Sequence, residues 1–189
     1  MLDMSGSSDF QKNFEELNII PMSISYEYEP CDILKARENV ISSKQKYVKA
    51  EGEDLNSIIV GIQQPKGNVH LNIGQPLTSE EIAQAALCDK NDRYQWIRHA
   101  VDKRVIEGYR LWKNNYVAYD LLNQSDKYAH MYEPVDVESF TAYMQKQLDT
   151  VEPELDRDEL RKAFLDIYAN PVVTRELLEK EKTTGEICL

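Results

Sequence analysis

Residues 17–25 read Leu17-Asn18-Ile19-Ile20-Pro21-Met22-Ser23-Ile24-Ser25, and within this stretch the hydrophobic period changes from that of a helix to that of a strand. From residue 20 onward the pattern repeats every second residue, as in a strand with two different faces. The apolar face carries Ile20, Met22 and Ile24, and the other face carries Pro21, Ser23 and Ser25. We predict that the apolar face is buried. Pro21 has no amide hydrogen for a ladder and should stand at the start of the strand.

A second strand is predicted between Gly67 and Gly74, where Val69, Leu71 and Ile73 alternate with polar residues. Before the first strand, the spacing from Ser8 to Gln11 resembles a capping box and predicts a short helix over residues 9–17. Residues 31–50 predict one or two exposed helices. The apolar positions Leu55, Ile58, Ile59 and Ile62 fit one short amphipathic helix, although residues 57–60 also fit a buried strand.

Beyond the capping box Thr78-Ser79-Glu80-Glu81, the chain is predicted to be helical. Three apolar series predict three helices that pack as a bundle, and Asp136 and Asp156 are candidate caps for the second and third. Asn170-Pro171 predicts the start of a last helix. We expect Trp112, the last residue of the first series, to be mostly buried. The series are Tyr94, Ile97, Val101, Val105 and Trp112; Val137, Phe140, Met144 and Leu148; and Leu160, Ala163, Phe164, Ile167 and Tyr168.

Charge and cysteine usage exclude several classes of protein. The formal net charge is −11 and both halves of the chain are acidic, so the basic surface expected of a nucleic-acid-binding protein is missing. Cys31, Cys88 and Cys188 are an odd set without C-x-x-C spacing, which argues against a disulfide framework or a zinc site. No apolar run approaches the roughly 20 residues of a membrane span. We expect a cytoplasmic chain that needs neither a metal nor a cofactor.

Candidate catalytic residues are few. His70, His99 and His130 each fit an ordinary surface position better than the position of a general base. Motifs for a nucleophilic triad, a metal cluster or a phosphate-binding lysine loop do not occur. Ser5-Gly6-Ser7-Ser8 precedes the first helix and either caps it or binds an anion at its amino end.

Residues 17–25 resemble the fourth sequence block of the glycerolipid acyltransferases, an apolar strand with a proline. Residues 67–77, followed by Thr78-Ser79-Glu80-Glu81, are similar to that family's downstream strand and its glycine-x-proline exit into a helix. Residues 5–32 look like a bacterial subgroup with a long helical extension, which would match residues 88–189 and includes residues 115–120. The resemblance implies an α/β fold in which residues 1–87 are the C-terminal half of a mixed-sheet domain and residues 88–189 an all-helical extension, so that the chain is mostly helical overall.

The family's catalytic blocks do not occur in this sequence. In the family, a histidine separated by four residues from an aspartate removes the proton of the acceptor hydroxyl, and an E-G-T-R block binds the acceptor phosphate. The residues five positions after His70, His99 and His130 are Gln75, Arg104 and Val135, so no histidine matches, and no catalytic residue can be carried over. Both blocks precede the fourth in the family, which implies that Met1 falls inside a longer domain.

The resemblance predicts a fragment of an O-acyltransferase. The complete protein would move an acyl group from acyl-CoA or acyl-carrier protein to a glycerol-phosphate or lysophospholipid hydroxyl. This chain would supply part of the substrate-binding wall through Pro21, Ser23 and Ser25, with Ser7 and Ser8 at the acceptor phosphate. Membrane contact, on the inner face of the cytoplasmic membrane, would come from an upstream region or a partner. The alternative is a noncatalytic helical interaction module; acyl-chain length, head group and oligomeric state stay open.

Overall fold

A computed structural model describes residues 9–184. These residues form eight α-helices, one 3-10 turn and a two-stranded antiparallel sheet, and 65% of them are helical. The mostly helical prediction is therefore confirmed. The elements in chain order are α1 (Phe10–Leu17), β1 (Met22–Tyr26), α2 (Asp32–Lys44), α3 (Glu53–Gln63), β2 (Val69–Ile73), α4 (Ser79–Ala86), α5 (Asp92–Gly108), α6 (Lys113–Asn123), the 3-10 turn (Ala129–Met131), α7 (Pro134–Leu148) and α8 (Arg157–Thr184).

The chain divides into two compact units. The described part of the first unit comprises residues 9–25, 70–110 and 175–184, and the second comprises residues 26–69 and 111–174. Each unit has its own hydrophobic core, and each core combines residues from both sides of residue 87. The division at residue 87 stays a prediction of the resemblance.

The core of the first unit lies among α1, α4 and α5. Asp9 caps α1 by accepting a hydrogen bond from the Lys12 N–H at 3.2 Å. The predicted capping box of α4 is confirmed, because Thr78 Oγ1 accepts from the Glu81 N–H at 3.2 Å and Glu81 Oε2 accepts from the Thr78 N–H at 2.8 Å. These caps fix where the helices begin and so direct their apolar faces inward. The buried core residues are Phe14, Leu77, Ile82, Ala85, Ile97 and Ala100.

The C-terminal part of α8 holds the end of α5 within the same unit. Arg175 donates from Nη2 to the carbonyl oxygen of Tyr109 at 2.7 Å and also to that of Ile106. Carbonyl groups at a helix C-terminus lack intrahelical partners and carry partial negative charge. A guanidinium group there donates hydrogen bonds to them and supplies the opposite charge. Helix α5 ends at Gly108. The prediction that Trp112 continues this helix is wrong; Trp112 is half-buried at the start of α6.

The core of the second unit joins α2, α6, α7 and α8. The aromatic rings of Phe140, Phe164 and Tyr168 pack together, with the Phe140 and Tyr168 centroids 5.0 Å apart and edge-on. Ala36 and Val40 of α2 are buried against the same core. The second and third apolar series therefore pack together as predicted. The prediction that the first series joins them in one bundle is wrong, because the α5 part of that series belongs to the core of the first unit.

One of the two predicted caps of these helices is confirmed. Asp156 caps α8, accepting from the N–H groups of Asp158 and Glu159 at 2.9 and 3.1 Å. The prediction for Asp136 is wrong, because Asp136 lies inside the first turn of α7. Asn170-Pro171 starts no new helix, because α8 runs through Pro171. Proline removes one backbone donor there, but the buried positions continue on both sides of it, at Ala169 and Val172.

The faces of β1 are the reverse of the prediction. Backbone hydrogen bonds from Gly74 N to Pro21 O and from Glu27 N to Asn68 O, both 2.9 Å, flank the ladder. This register places Met22 opposite Ile73, Ile24 opposite Leu71 and Ser23 opposite Asn72. Ser23 and Ser25 are buried, whereas Ile20, Met22 and Ile24 are 46–55% exposed. Period-two alternation separates the two faces of a strand but does not say which one the fold covers.

Candidate functional site on the two-stranded sheet

The predicted substrate-wall residues of β1 lie together on the covered face of the sheet. Pro21 is buried, and Ser23 and Ser25 are 5% and 1% exposed. Within the described chain, neither Ser23 Oγ nor Ser25 Oγ has a hydrogen-bond partner. Ser7 and Ser8, and with them the candidate anion site of residues 5–8, lie outside the described residues. The structure therefore brings three of the five predicted site residues onto one face.

The C-terminal end of α5 packs on this serine face. A Cβ atom at Gly108 would overlap the side-chain amide of Asn72 and lie 2.9 Å from Ser23 Oγ. The close approach of helix and sheet thus requires glycine at residue 108. Neither Gly108 nor Asn72 was predicted to belong to a site, and the one signal for this contact in the sequence is a glycine near the end of a predicted helix.

A polar cavity of 590 Å³ lies beside this contact, within the first unit. Arg104 Nη2 forms a bidentate ion pair with Glu81, at 2.8 Å to Oε1 and 2.7 Å to Oε2. Burial alone would raise the pKa of Glu81, but the Thr78 N–H and the Arg104 guanidinium together lower it. The cavity is lined by Asn72, Gly74, Gln75, Glu81, Lys103, Arg104, Glu107 and Gly108.

The charges around the cavity are balanced. Arg104 is paired with Glu81, and Glu107 lies 3.3 Å from Lys182 of α8. Lys103 and the amides of Asn72 and Gln75 complete a hydrogen-bonding wall. Such a lining can orient a polar ligand. It contains no histidine to act as a base near neutral pH.

The three histidines lie in different settings. His70 is half-buried in β2, and the sheet register places it opposite Ser25. His99 Nε2 lies 2.7 Å from Glu181 Oε1, so this side chain is partly buried and paired with a carboxylate, whereas the sequence predicts an ordinary surface position. His130 is exposed in the 3-10 turn.

The outer face of the sheet is apolar and exposed. Its members on and beside the two strands are between 46% and 64% exposed, and they alternate with the covered residues. Contiguous apolar surface of this kind marks a place where another element packs. We call these residues the apolar sheet face: Ile20, Met22, Ile24, Leu71 and Ile73.

The second unit buries a carboxylate that the sequence analysis missed. Asp32 is 1% exposed, and its Oδ2 accepts hydrogen bonds from the hydroxyls of Tyr143 at 2.8 Å and Tyr168 at 2.7 Å. Tyr168 OH in turn accepts from the Glu29 N–H at 3.0 Å. Burial raises the pKa of Asp32 although these hydrogen bonds oppose the shift, and burial likewise raises the pKa of both tyrosines. An acidic residue at the start of a helix predicts only a favourable dipole contact, so the sequence held no signal for this network.

The segment 115–120, which the resemblance assigns to the helical extension, contributes structural hydrogen bonds. Asn115 Nδ2 donates to the Tyr168 carbonyl at 2.8 Å. Asp120 accepts from the Ser125 hydroxyl at 2.6 Å and from the Tyr132 hydroxyl at 2.9 Å. Burial and this carboxylate raise the pKa of Tyr132 to about 12. These contacts fix the loop after α6 and leave no free reactive group.

A second polar cavity, of 420 Å³, lies in the second unit and includes Cys31. Burial and the nearby Glu29 raise the pKa of the Cys31 thiol, which disfavours the reactive thiolate. Over residues 9–184, histidine, cysteine and acidic side chains form no group able to hold a metal ion. None of the helices in that same range is long and apolar enough to cross a membrane.

Comparison of the chain with protein-family models, with curated proteins and with solved structures gave no match. The resemblance to the glycerolipid acyltransferases therefore stays a prediction.

Proposed function

We propose that the chain is the C-terminal part of a glycerolipid acyltransferase domain. The complete enzyme would move an acyl group from a thioester carrier to a hydroxyl of glycerol phosphate or a lysophospholipid. The observation that carries the proposal is the two-stranded sheet, whose serine face is covered by α5 and whose apolar face is exposed. A sheet of two strands is marginal alone, and the α/β domains built on larger sheets cover both faces.

The exposed face has an energetic consequence. Complete burial of one large apolar side chain contributes about 1.5–3 kcal/mol of stability. The five side chains of this face are each roughly half exposed, so covering them would contribute about 4–7 kcal/mol more. That is comparable to the whole stability of a small domain. Further strands and helices of an acyltransferase domain would recover this free energy by covering the apolar sheet face.

The covered face fits a substrate-binding wall. The hydroxyls of Ser23 and Ser25 are buried and have no partner among the described residues, and a buried polar group without a partner costs about 1–3 kcal/mol. Because α5 covers this face, a bound acceptor would reach these hydroxyls only after the C-terminal end of α5 moves away from the sheet. Pro21 belongs to the same wall, and Ser7 and Ser8 keep their proposed place at the acceptor phosphate. Under this proposal, the proton acceptor would be a residue of the complete enzyme outside this chain.

A second candidate function is a noncatalytic interaction module. It is favoured by α3, a helix with no buried residue and four exposed large apolar side chains. This function does not require the catalytic blocks that the sequence lacks, because a binding protein requires only complementary surfaces.

One measurement separates these functions, and a second tests whether this chain alone is inactive. The coding sequence that precedes Met1 should contain an in-frame histidine, four residues and an aspartate, followed by E-G-T-R; a ribosome-binding site directly before Met1 would favour the interaction module. Residues 1–189 alone should leave acyl-CoA intact in the presence of glycerol 3-phosphate, because positioned proton removal is worth about 10²–10⁴-fold in rate. Turnover that disappears in His70→Gln or His99→Gln would contradict the proposal.

A further inference from the structure

Helix α3 presents an apolar surface to solvent within the second unit. Leu55, Ile58, Ile59 and Ile62 are 42–73% exposed, and the helix has no buried residue. These positions follow the i, i+3, i+4, i+7 spacing and so lie along one side of the helix. We call them the α3 stripe. Single exposed apolar residues are common on protein surfaces. Four at regular helical spacing form a continuous stripe and are not of that kind.

The charge of α3 disfavours a lipid surface as the occupant of the stripe. Helices that lie on membranes carry lysine and arginine on the polar face. Residues 53–63 contain neither, and the first turn of the helix is acidic through Glu53 and Asp54. A protein surface with an apolar groove and complementary charge fits the α3 stripe better than anionic lipid does.

We propose that the α3 stripe is an interface between two copies of this chain, with the two α3 helices antiparallel. The midpoint of the stripe lies between Ile58 and Ile59. A two-fold axis at that point places Leu55 of one copy opposite Ile62 of the other, and Ile58 opposite Ile59. The stripe is thus complementary to itself, as an isologous interface requires.

The charges at the two ends of α3 complement each other in this arrangement. The amino end carries Glu51, Glu53 and Asp54. Lys49 pairs with Asp54 at 2.6 Å, so the net negative charge there comes from Glu51 and Glu53. At the carboxyl end, Lys66 Nζ donates to the carbonyls of Ile62 at 3.2 Å and Gln64 at 3.0 Å, which fixes a cation there. Antiparallel pairing brings the acidic end of each helix to the basic end of the other and also opposes the two helix dipoles. A parallel arrangement would bring like charges together.

The interface is small, so the association is weak and reversible. Stable interfaces bury about 1,200–2,000 Å² in total, more than four side chains from each copy supply. The expected behaviour is a monomer–dimer equilibrium that depends on protein concentration. The proposal does not rest on the acyltransferase function.

Analytical ultracentrifugation of the 189-residue chain over about 1 µM to 1 mM tests the interface. The wild type should show a dimer at the upper concentrations, and Ile58→Asp should raise its dissociation constant at least about tenfold, because a desolvated charge replaces a central contact. Ile62→Asp provides a second variant. Val135→Asp is the matched control, since Val135 is 61% exposed in the same unit against 59% for Ile58; it should leave the equilibrium unchanged.

A charge exchange tests the antiparallel register. Lys66→Glu should weaken the dimer, and Glu51→Lys combined with Lys66→Glu should restore it, with folding checked by circular dichroism. A chain that stays monomeric throughout the range would overturn the proposal. So would a dimer that tolerates Ile58→Asp and Ile62→Asp but is lost in Ile24→Asp, because the interface would then be the apolar sheet face.

Discussion

Aspartate substitutions at adjacent positions of β1 distinguish its two faces. Ile24 is 47% exposed and Ser25 is 1% exposed. Ile24→Asp removes a side chain that is only about half buried, so it should lower the free energy of unfolding by about 1 kcal/mol. Ser25→Asp places an unpaired carboxylate in the covered face and should cost about 3–5 kcal/mol, the range for an uncompensated buried charge. The difference between the two variants is therefore at least about 2 kcal/mol.

Urea unfolding followed by far-UV circular dichroism measures both variants, with a common m-value as the control for two-state behaviour. Ser25→Ala is the matched variant without charge. It should be neutral or stabilising by about 1 kcal/mol, because it removes a buried hydroxyl that lacks a partner. If Ile24→Asp costs as much as Ser25→Asp, or prevents folding while Ser25→Asp is tolerated, the assignment of faces is wrong.

Three further predictions concern the two cores and the buried carboxylate. Gly108→Val should lower the free energy of unfolding by about 1–3 kcal/mol because its side chain would collide with Asn72; an unchanged urea midpoint would rule out the close contact. Phe164→Ala should cost about 3–5 kcal/mol because Phe164 is fully buried, and a loss below about 1 kcal/mol would contradict its place in the core. The raised pKa of Asp32 means that its contribution to stability is full below its ordinary value of 3.8 and is lost as pH rises through the folded-state pKa. Asp32→Asn should therefore gain stability relative to wild type as pH rises above 3.8, and a difference independent of pH would refute the raised pKa.

Local signals in the sequence predicted most of the helices. The capping residues Thr78, Glu81 and Asp156 form the hydrogen bonds expected of them, because a cap depends on residues three or four positions away. The apolar series of α7 and α8 are buried as their spacing indicates. These features are properties of short segments, so periodicity and capping chemistry suffice to predict them.

Features that depend on residues distant in the chain could not be predicted from the sequence. The buried state of Asp32 requires Tyr143 and Tyr168, more than 100 positions along the chain. Which face of β1 is covered depends on α5. No local sequence pattern predicts that α5 contacts the sheet at Gly108. Hydrophobic residues were expected inside, but the apolar sheet face is exposed, because period-two alternation separates two faces without indicating which one is covered. The candidate site could thus be located on β1 from sequence, while its orientation and its neighbours could not.

The most direct test of the acyltransferase proposal is to measure acyl transfer by the protein translated from the complete reading frame that contains this chain. Purified protein should consume acyl-CoA or acyl-carrier-protein thioester when glycerol 3-phosphate or a lysophospholipid is added, and should form the corresponding ester. The same protein carrying Ser25→Ala, which removes a hydroxyl of the proposed substrate wall without an expected loss of stability, should lose most of that activity. Failure to consume either thioester with any of these acceptors, in a protein that is folded by circular dichroism, would contradict the account.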